Sequence, residues 1–101
     1  MWIEENLPWG SKIAYESYAP YIDPEHYAVT SLAMMIDRPA QWYRENGVEY
    51  LTFGSGMYAR FYNDPERYPE QVQKYDVLFA EFDLIKQFQD EIFEVKIFKV
   101  E

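Results

Sequence analysis

The chain has 101 residues, of which 49% are hydrophobic and 20% aromatic, so it holds enough large side chains for one core and is predicted to form a single domain over residues 1–101. This composition excludes the disordered and fibrous classes, and a net charge of −9 with scattered basic residues argues against nucleic acid as a partner. The absence of cysteine excludes a disulfide framework and a thiolate metal site, while leaving the cellular compartment open.

The first residues, Met1–Pro8, are typical of the last turns of a helix that stops before a proline. The sequence does not begin with the pattern expected of a signal peptide, and no window of it approaches the roughly 20 apolar residues of a membrane-spanning helix. We therefore expect a piece cut from a longer chain. A natural N-terminus with one short helix is the alternative.

Two strands are predicted next, at Lys12–Ser17 and, from a weaker pattern, at Tyr27–Leu32. A short helix over Arg38–Asn46 follows. Its expected cap is Asp37, and Gly47 stands where a left-handed residue would end it.

Val48–Phe53 is the strand predicted for the middle of the sheet, because its near-continuous apolar character suits a strand covered on both faces. A Gly-Ser-Gly break at residues 54–56 then leads into a helix predicted at Met57–Asn63. Asp64, followed by Pro65 and Glu66, is expected to cap a new helical segment.

From Pro69 onward, apolar residues recur at helical spacing and predict a helix that packs on the sheet. The stripe consists of Val72, Tyr75, Leu78, Phe79 and Phe82. Two closing strands are predicted at Leu84–Gln89 and Phe93–Val100, joined near Asp90 and Glu91. In the last strand Phe93, Val95 and Ile97 alternate with Glu94, Lys96 and Phe98, a pattern typical of an antiparallel strand with one solvent-exposed face.

These elements predict an α/β fold: a small two-layer or three-layer sandwich with a mixed sheet of four to five strands, a parallel core, two to three helices and a C-terminal β-hairpin. The first and third strands are expected to be parallel.

The sequence also resembles a known family. The pattern W-I-x-x-N-L-P-x-G-S-K-I-A at Trp2–Ala14, followed by E-S-Y at Glu16–Tyr18, is similar to the segment that leaves the last transmembrane helix of family-39-type glycosyltransferases, the relatives of the dolichyl-phosphate-mannose protein mannosyltransferases. The G-V-E-Y-L run at Gly47–Leu51 and the D-P-E-R-Y-P run at Asp64–Pro69 are similar to the globular C-terminal end of those enzymes.

The resemblance implies a parent membrane enzyme that transfers a sugar from a polyprenyl-phosphate donor on the extracytoplasmic side of a membrane. In that family the catalytic acids and metal contacts precede this region, so the resemblance implies no catalytic, cofactor or metal residue here. The expected partners are the membrane-embedded half of the parent chain and a glycan or protein acceptor.

The residues themselves predict little chemistry. Asp23, Glu25 and His26 could offer oxygen and nitrogen ligands, but their spacing matches no established pattern, and a turn is the expected role. His26 is the only histidine, which argues against a nucleophilic triad.

Two further hypotheses concern ligand contact. The glycine-containing turn after the central strand, with Ser17, could form an anion-binding cleft, although a tight turn that lets the helix pack is the favoured interpretation. The crowded tyrosines could contact a carbohydrate or a peptide, although most tyrosines in a small domain belong to the core or its rim. The candidate contact residues are Glu16, Ser17, Tyr18, Gly54, Ser55, Gly56, Tyr58 and Tyr62.

Two classes of function follow. The first is a non-catalytic extracytoplasmic accessory domain of a membrane glycosyltransferase, with a structural or acceptor-guiding role. The second is a free-standing acidic module that binds a protein or a carbohydrate through its sheet edge or its aromatic surface.

Overall fold

The structure is a computed structural model that describes residues 2–90 and 92–100. It is an α/β fold with a five-stranded mixed sheet in the order β2-β1-β3-β5-β4. The strands are β1 (Lys12–Glu16), β2 (Ala28–Leu32), β3 (Tyr50–Gly54), β4 (Asp83–Gln89) and β5 (Glu94–Lys99). The helices are α1 (Trp2–Asn6), α2 (Ala40–Glu45), α3 (Ser55–Tyr62) and α4 (Pro69–Glu81), with a 3₁₀ turn at Met35–Asp37.

The parallel core and the C-terminal hairpin are both confirmed. β1 pairs in parallel with β2 and with β3, whereas β5 runs antiparallel to both β3 and β4. β3 lies at the centre, as its apolar sequence predicted, and Leu51, Thr52, Phe53 and Gly54 are all buried.

The sheet is covered on both faces, because alternate residues of each central strand point to different apolar clusters. One face packs against α2, α3 and α4. Its buried strand residues are Ala14, Leu51, Phe53 and Phe98, and the helices add Tyr43, Tyr58, Phe61, Tyr75 and Leu78. The opposite face packs against α1 and the loop before β2, through Ile3, Leu7, Ile13, Ile22, Tyr27, Val95 and Ile97.

Burial on both faces explains one wrong prediction. Phe98 was assigned to a solvent-exposed face of the last strand, but only 3% of its surface is accessible. β5 lies inside the sheet between β3 and β4, so the helix-covered face takes Phe98, whose ring stacks on Phe79 with centroids 5.3 Å apart. The alternation in the sequence was real, but Ile97 and Phe98, which belong to its two different phases, are both buried.

Two predicted helix caps are also wrong. Asp37 ends the 3₁₀ turn, where its Oδ2 accepts a hydrogen bond from the Met34 amide at 3.1 Å, and Pro39 is the residue that precedes α2. Asp64 begins a single turn, since its carbonyl accepts from the amides of Arg67 and Tyr68, and α4 starts only at Pro69. The left-handed residue predicted at Gly47 is confirmed by a φ of +68°.

The buried side chain of Tyr27 helps to hold α1 on the sheet. The Tyr27 hydroxyl shares its proton between the carbonyl oxygens of Ile3, at 2.9 Å, and Leu7, at 3.0 Å. Ile3 is fully buried and Leu7 nearly so. α1 is therefore a packed part of the domain.

The predicted joint between the last two strands, near Asp90 and Glu91, falls partly outside the described residues, because Glu91 is not among them. No helix in the described part of the chain combines the length and the apolar character needed to cross a bilayer.

Tyr27→Phe is expected to lower the free energy of unfolding by about 1–2 kcal/mol, because the Leu7 carbonyl loses a buried donor while the ring still packs. Urea denaturation would measure the loss. Tyr21→Phe, at a residue that is 77% exposed, is the matched control and should change stability by less than about 0.5 kcal/mol. Equal effects of the two substitutions would contradict the anchoring role of Tyr27.

Candidate functional site at the carboxyl ends of the parallel strands

The candidate contact residues of β1 and β3 meet at one edge of the sheet. β1 ends at Glu16 and β3 at Gly54, and because the two strands are parallel neighbours their carboxyl ends point the same way. Ser17 and Tyr18 continue from β1, and Ser55 and Gly56 open α3 directly, with no loop residue between strand and helix. The predicted helix start at Met57 was therefore two residues late.

Tyr18 fills the space in front of the glycines. Its φ of +68° is a left-handed conformation that a large aromatic residue rarely adopts. A Cβ atom on Gly54 would overlap the Tyr18 carbonyl group, lying 2.7 Å from its carbon, and one on Gly56 would lie 2.8 Å from both Tyr18 and Phe93. The glycines are thus needed for close packing of this loop. A role in anion binding stays a prediction.

The two serines of the edge take part in backbone contacts. Ser55 Oγ accepts a hydrogen bond from the Glu94 amide at 2.9 Å, which joins the start of α3 to β5. The Ser17 amide donates to the carbonyl of Ala33 at 3.4 Å. These contacts fix the geometry of the edge.

Glu16 is the chemically unusual residue of the edge, because it is an acidic residue that is only 1% exposed and lies on the helix-covered face. Its Oε2 accepts hydrogen bonds from the Met35 amide at 3.0 Å and from the Tyr75 hydroxyl at 2.7 Å. Among the described residues no donor reaches Oε1 in hydrogen-bond geometry, although the Gly54 amide lies near enough to favour the charged form.

Burial dominates the titration of Glu16. Loss of hydration raises its pKa from 4.5 to about 7, against the opposing effect of the Met35, Tyr75 and Gly54 donors, and the negative charge of Asp37 raises it further. The same burial, with Glu16 nearby, raises the pKa of Tyr75 well above its ordinary value, so Tyr75 remains a hydrogen-bond donor. Glu16 therefore changes charge near neutral pH inside the domain.

A shallow depression of about 400 Å³ lies beside this edge, lined by Tyr18, Ala19, Asp90, Ile92 and Phe93. Tyr18 is half exposed and its ring meets Phe93 edge-to-face at 5.6 Å. The Asp90 carboxylate accepts hydrogen bonds from the Phe93 and Ile92 amides, which lower its pKa and hold the turn that carries the exposed Ile92 side chain. The sequence analysis did not identify Ile92 and Phe93 as site residues. They reach Tyr18 because β5, which follows them, pairs with β3.

Tyr58 and Tyr62 lie beside a separate depression of about 330 Å³ that shares no lining residue with the first. The Tyr58 hydroxyl donates to Glu94 Oε1 and the Tyr62 hydroxyl to Asp76 Oδ1, both at 2.7 Å. Tyr58 is nearly buried, and the ring of Tyr62 stacks on Phe79. The eight candidate contact residues thus form two groups, and their contact with a ligand stays a prediction.

Basic side chains lie over the aromatic rings of this protein. The Lys96 ammonium is 4.8 Å from the Phe79 ring centre, and the Arg60 guanidinium is 5.8 Å from that of Tyr18. Similar contacts join Arg38 to Trp42, Arg44 to Phe82 and Arg67 to Tyr68. Each candidate depression therefore has a cation at one aromatic wall.

Comparison with known proteins identifies no relative: no protein-family model matches the chain, and neither the curated proteins nor the solved structures contain a significant match. A functional proposal therefore rests on the sequence pattern together with the fold and the geometry of the site.

Glu16→Gln is expected to abolish part of the pH dependence of stability. Between pH 4.5 and 7 the folded state holds a proton on Glu16 that the unfolded state has lost, so this contribution is complete below pH 4.5 and disappears as pH rises through 7. The wild-type free energy of unfolding should fall relative to that of Glu16→Gln by on the order of 3 kcal/mol from pH 4.5 to 8.

Chemical denaturation at several pH values would measure this difference, with the exposed Glu66→Gln as the control for loss of one negative charge. Parallel stability curves for wild type and Glu16→Gln between pH 4.5 and 8 would refute the assignment.

Gly54→Ala is expected to destabilise the domain by roughly 2–4 kcal/mol, because the new methyl group would overlap the Tyr18 backbone. Gly47→Ala is the matched control: it meets no atom within 4 Å and carries only the cost of a positive φ, about 1 kcal/mol. Thermal unfolding of both variants would compare the two costs. A Gly54→Ala variant as stable as Gly47→Ala would show that Tyr18 is free to move away.

Proposed function

We propose that this chain is a non-catalytic extracytoplasmic accessory domain of a polyprenyl-phosphate-sugar-dependent membrane glycosyltransferase. In this proposal α1 follows the last membrane helix of the parent chain, and the domain has a structural or acceptor-guiding role beside the membrane-embedded catalytic half.

The docking of α1 is the observation that supports the proposal best. Three residues of the W-I-x-x-N-L-P-x-G-S-K-I-A pattern help to attach α1 to the sheet, because Ile3, Leu7 and Ile13 are buried in one apolar cluster. The Tyr27 hydroxyl also donates to the carbonyls of Ile3 and Leu7. A helix fixed in this way would transmit the position of a preceding membrane segment to the whole domain. That is the property required of a domain that must keep its place beside a catalytic site.

The net charge also fits attachment through the chain. A domain with a formal charge of −9 is repelled by anionic lipid headgroups, so adsorption to a membrane surface would not hold it there. If acceptor guidance is its role, the half-exposed Tyr18 ring and the depression beside it offer an accessible contact surface.

The alternative is a free-standing acidic interaction module, and one observation favours it. Leu84 and Ile85 of the edge strand β4 are exposed, as is Ile92 in the turn that follows, which leaves apolar surface at one side of the sheet. The pairing of β4 with β5 shifts register between Leu84 and Lys86, however, and such an irregularity opposes the addition of another strand. A partner would therefore contact side chains more readily than the strand edge.

A topology experiment separates the two functions. The complete reading frame that encodes this chain should be fused at its C-terminus either to alkaline phosphatase, which is active only outside the cytoplasm, or to green fluorescent protein, which is exported poorly in an active form. The accessory-domain proposal predicts an active phosphatase fusion, a dark fluorescent fusion and a membrane fraction that resists carbonate extraction. A fluorescent product released by carbonate would refute it and leave the interaction module.

A further inference from the structure

A mixed cluster of metal-ligating side chains joins α1 to the loop before β2. Glu4 of α1, with Asp23 and His26 of the loop, place one ligand atom each within 4.8 Å of one another. From these residues we propose that the chain binds a single divalent transition-metal ion of the zinc class, which clamps α1 to the loop. This inference goes beyond the proposed function and does not depend on it.

The two distances from His26 suit such an ion, and the ligand atoms of Glu4 and Asp23 lie within 4.8 Å of each other. His26 Nδ1 lies 3.0 Å from both carboxylate oxygens of Glu4 and 3.7 Å from Asp23 Oδ2. A tetrahedral zinc ion with bonds of about 2.0–2.1 Å requires donor atoms about 3.3 Å apart, a value between these two distances. Small side-chain shifts would bring the three donors to the ion, and a water molecule would complete four-coordination.

The surrounding residues hold the ligands in place. Asp23 Oδ1 accepts a hydrogen bond from the Glu25 amide at 2.9 Å, while Oδ2 faces His26. The Trp9 ring stacks on the imidazole at 3.8 Å and an angle of 9°. Because the nitrogen lone pairs lie in the plane of the imidazole, this stacking fixes the ring without covering the atom that would bind the metal.

The ligand set also explains why the sequence did not predict the site. Asp23 and His26 were recognised as possible ligands with Glu25, but the third donor is Glu4, which lies far upstream and reaches the loop because α1 docks on the sheet. All three side chains are about 30% exposed, so an ion can enter from solvent.

The competing explanation is a simple ion pair. The hydrogen bond with Glu4 raises the pKa of His26, and an imidazolium between two carboxylates would satisfy the same atoms without a metal. A direct binding measurement therefore decides between the ion pair and the metal site.

The experiment is calorimetric titration of the untagged chain with zinc chloride, accompanied by NMR of the imidazole nitrogens. Because His26 is the only histidine, its signals need no further assignment. The proposal predicts one zinc ion per chain, a large shift of Nδ1 on binding, and affinity reduced about tenfold or more in Glu4→Gln, Asp23→Asn and His26→Gln. Glu25→Gln is the matched control in the same loop and should keep the affinity within about threefold.

Circular dichroism of each variant would verify that it is folded, and magnesium chloride serves as the control for non-specific attraction to an acidic surface. Absence of saturable zinc binding would overturn the proposal, as would equal weakening by Glu25→Gln and Glu4→Gln, or an Nδ1 signal that zinc leaves unchanged. Any of those results would show that Glu4, Asp23 and His26 do not form a specific zinc site.

Discussion

The buried carboxyl group of Glu16 is the interaction on which the helix-covered half of the domain depends. It stands at the end of β1, receives the amide of Met35 and the hydroxyl of Tyr75, and so connects the sheet to the 3₁₀ turn and to α4. A carboxyl group in such a position costs hydration energy whenever it is ionised. The domain therefore depends, at this buried junction, on a group whose charge changes near neutral pH.

The regular elements were predictable because their signals are local. The apolar run of β3 predicted a central strand, the stripe from Val72 to Phe82 predicted α4, and Gly47 was expected to be left-handed; the structure confirms all three. The errors at Asp37 and Asp64 share one cause. The Asp37 side chain and the Asp64 carbonyl each accept hydrogen bonds from nearby backbone amides. A single turn and the first turn of a helix use such contacts in the same way, so the sequence does not show how many turns follow.

The candidate sites were predicted less well, because they depend on contacts between distant parts of the chain. Tyr18 and Gly54 were recognised, but their mutual packing follows from the parallel pairing of β1 with β3, and Phe93 reaches them only through β5. Glu4 reaches His26 only through the docking of α1. The exposure of Phe98 was misjudged for a related reason, since the neighbours of a strand decide which of its faces meet water.

The basic side chains that lie over aromatic rings have a consequence for the field that the protein presents to others. Five of the nine Lys and Arg residues, Arg38, Arg44, Arg60, Arg67 and Lys96, contact rings of the protein itself. Arg44 is also paired with Glu81 Oε2 at 2.8 Å. These rings do not cancel the charge of the cations, so the long-range field is set by the formal net charge of −9. A binding partner approaching this domain would thus encounter a negative potential over long distances and cations only at contact, which favours partners with a basic surface and makes the rate of their association fall with ionic strength.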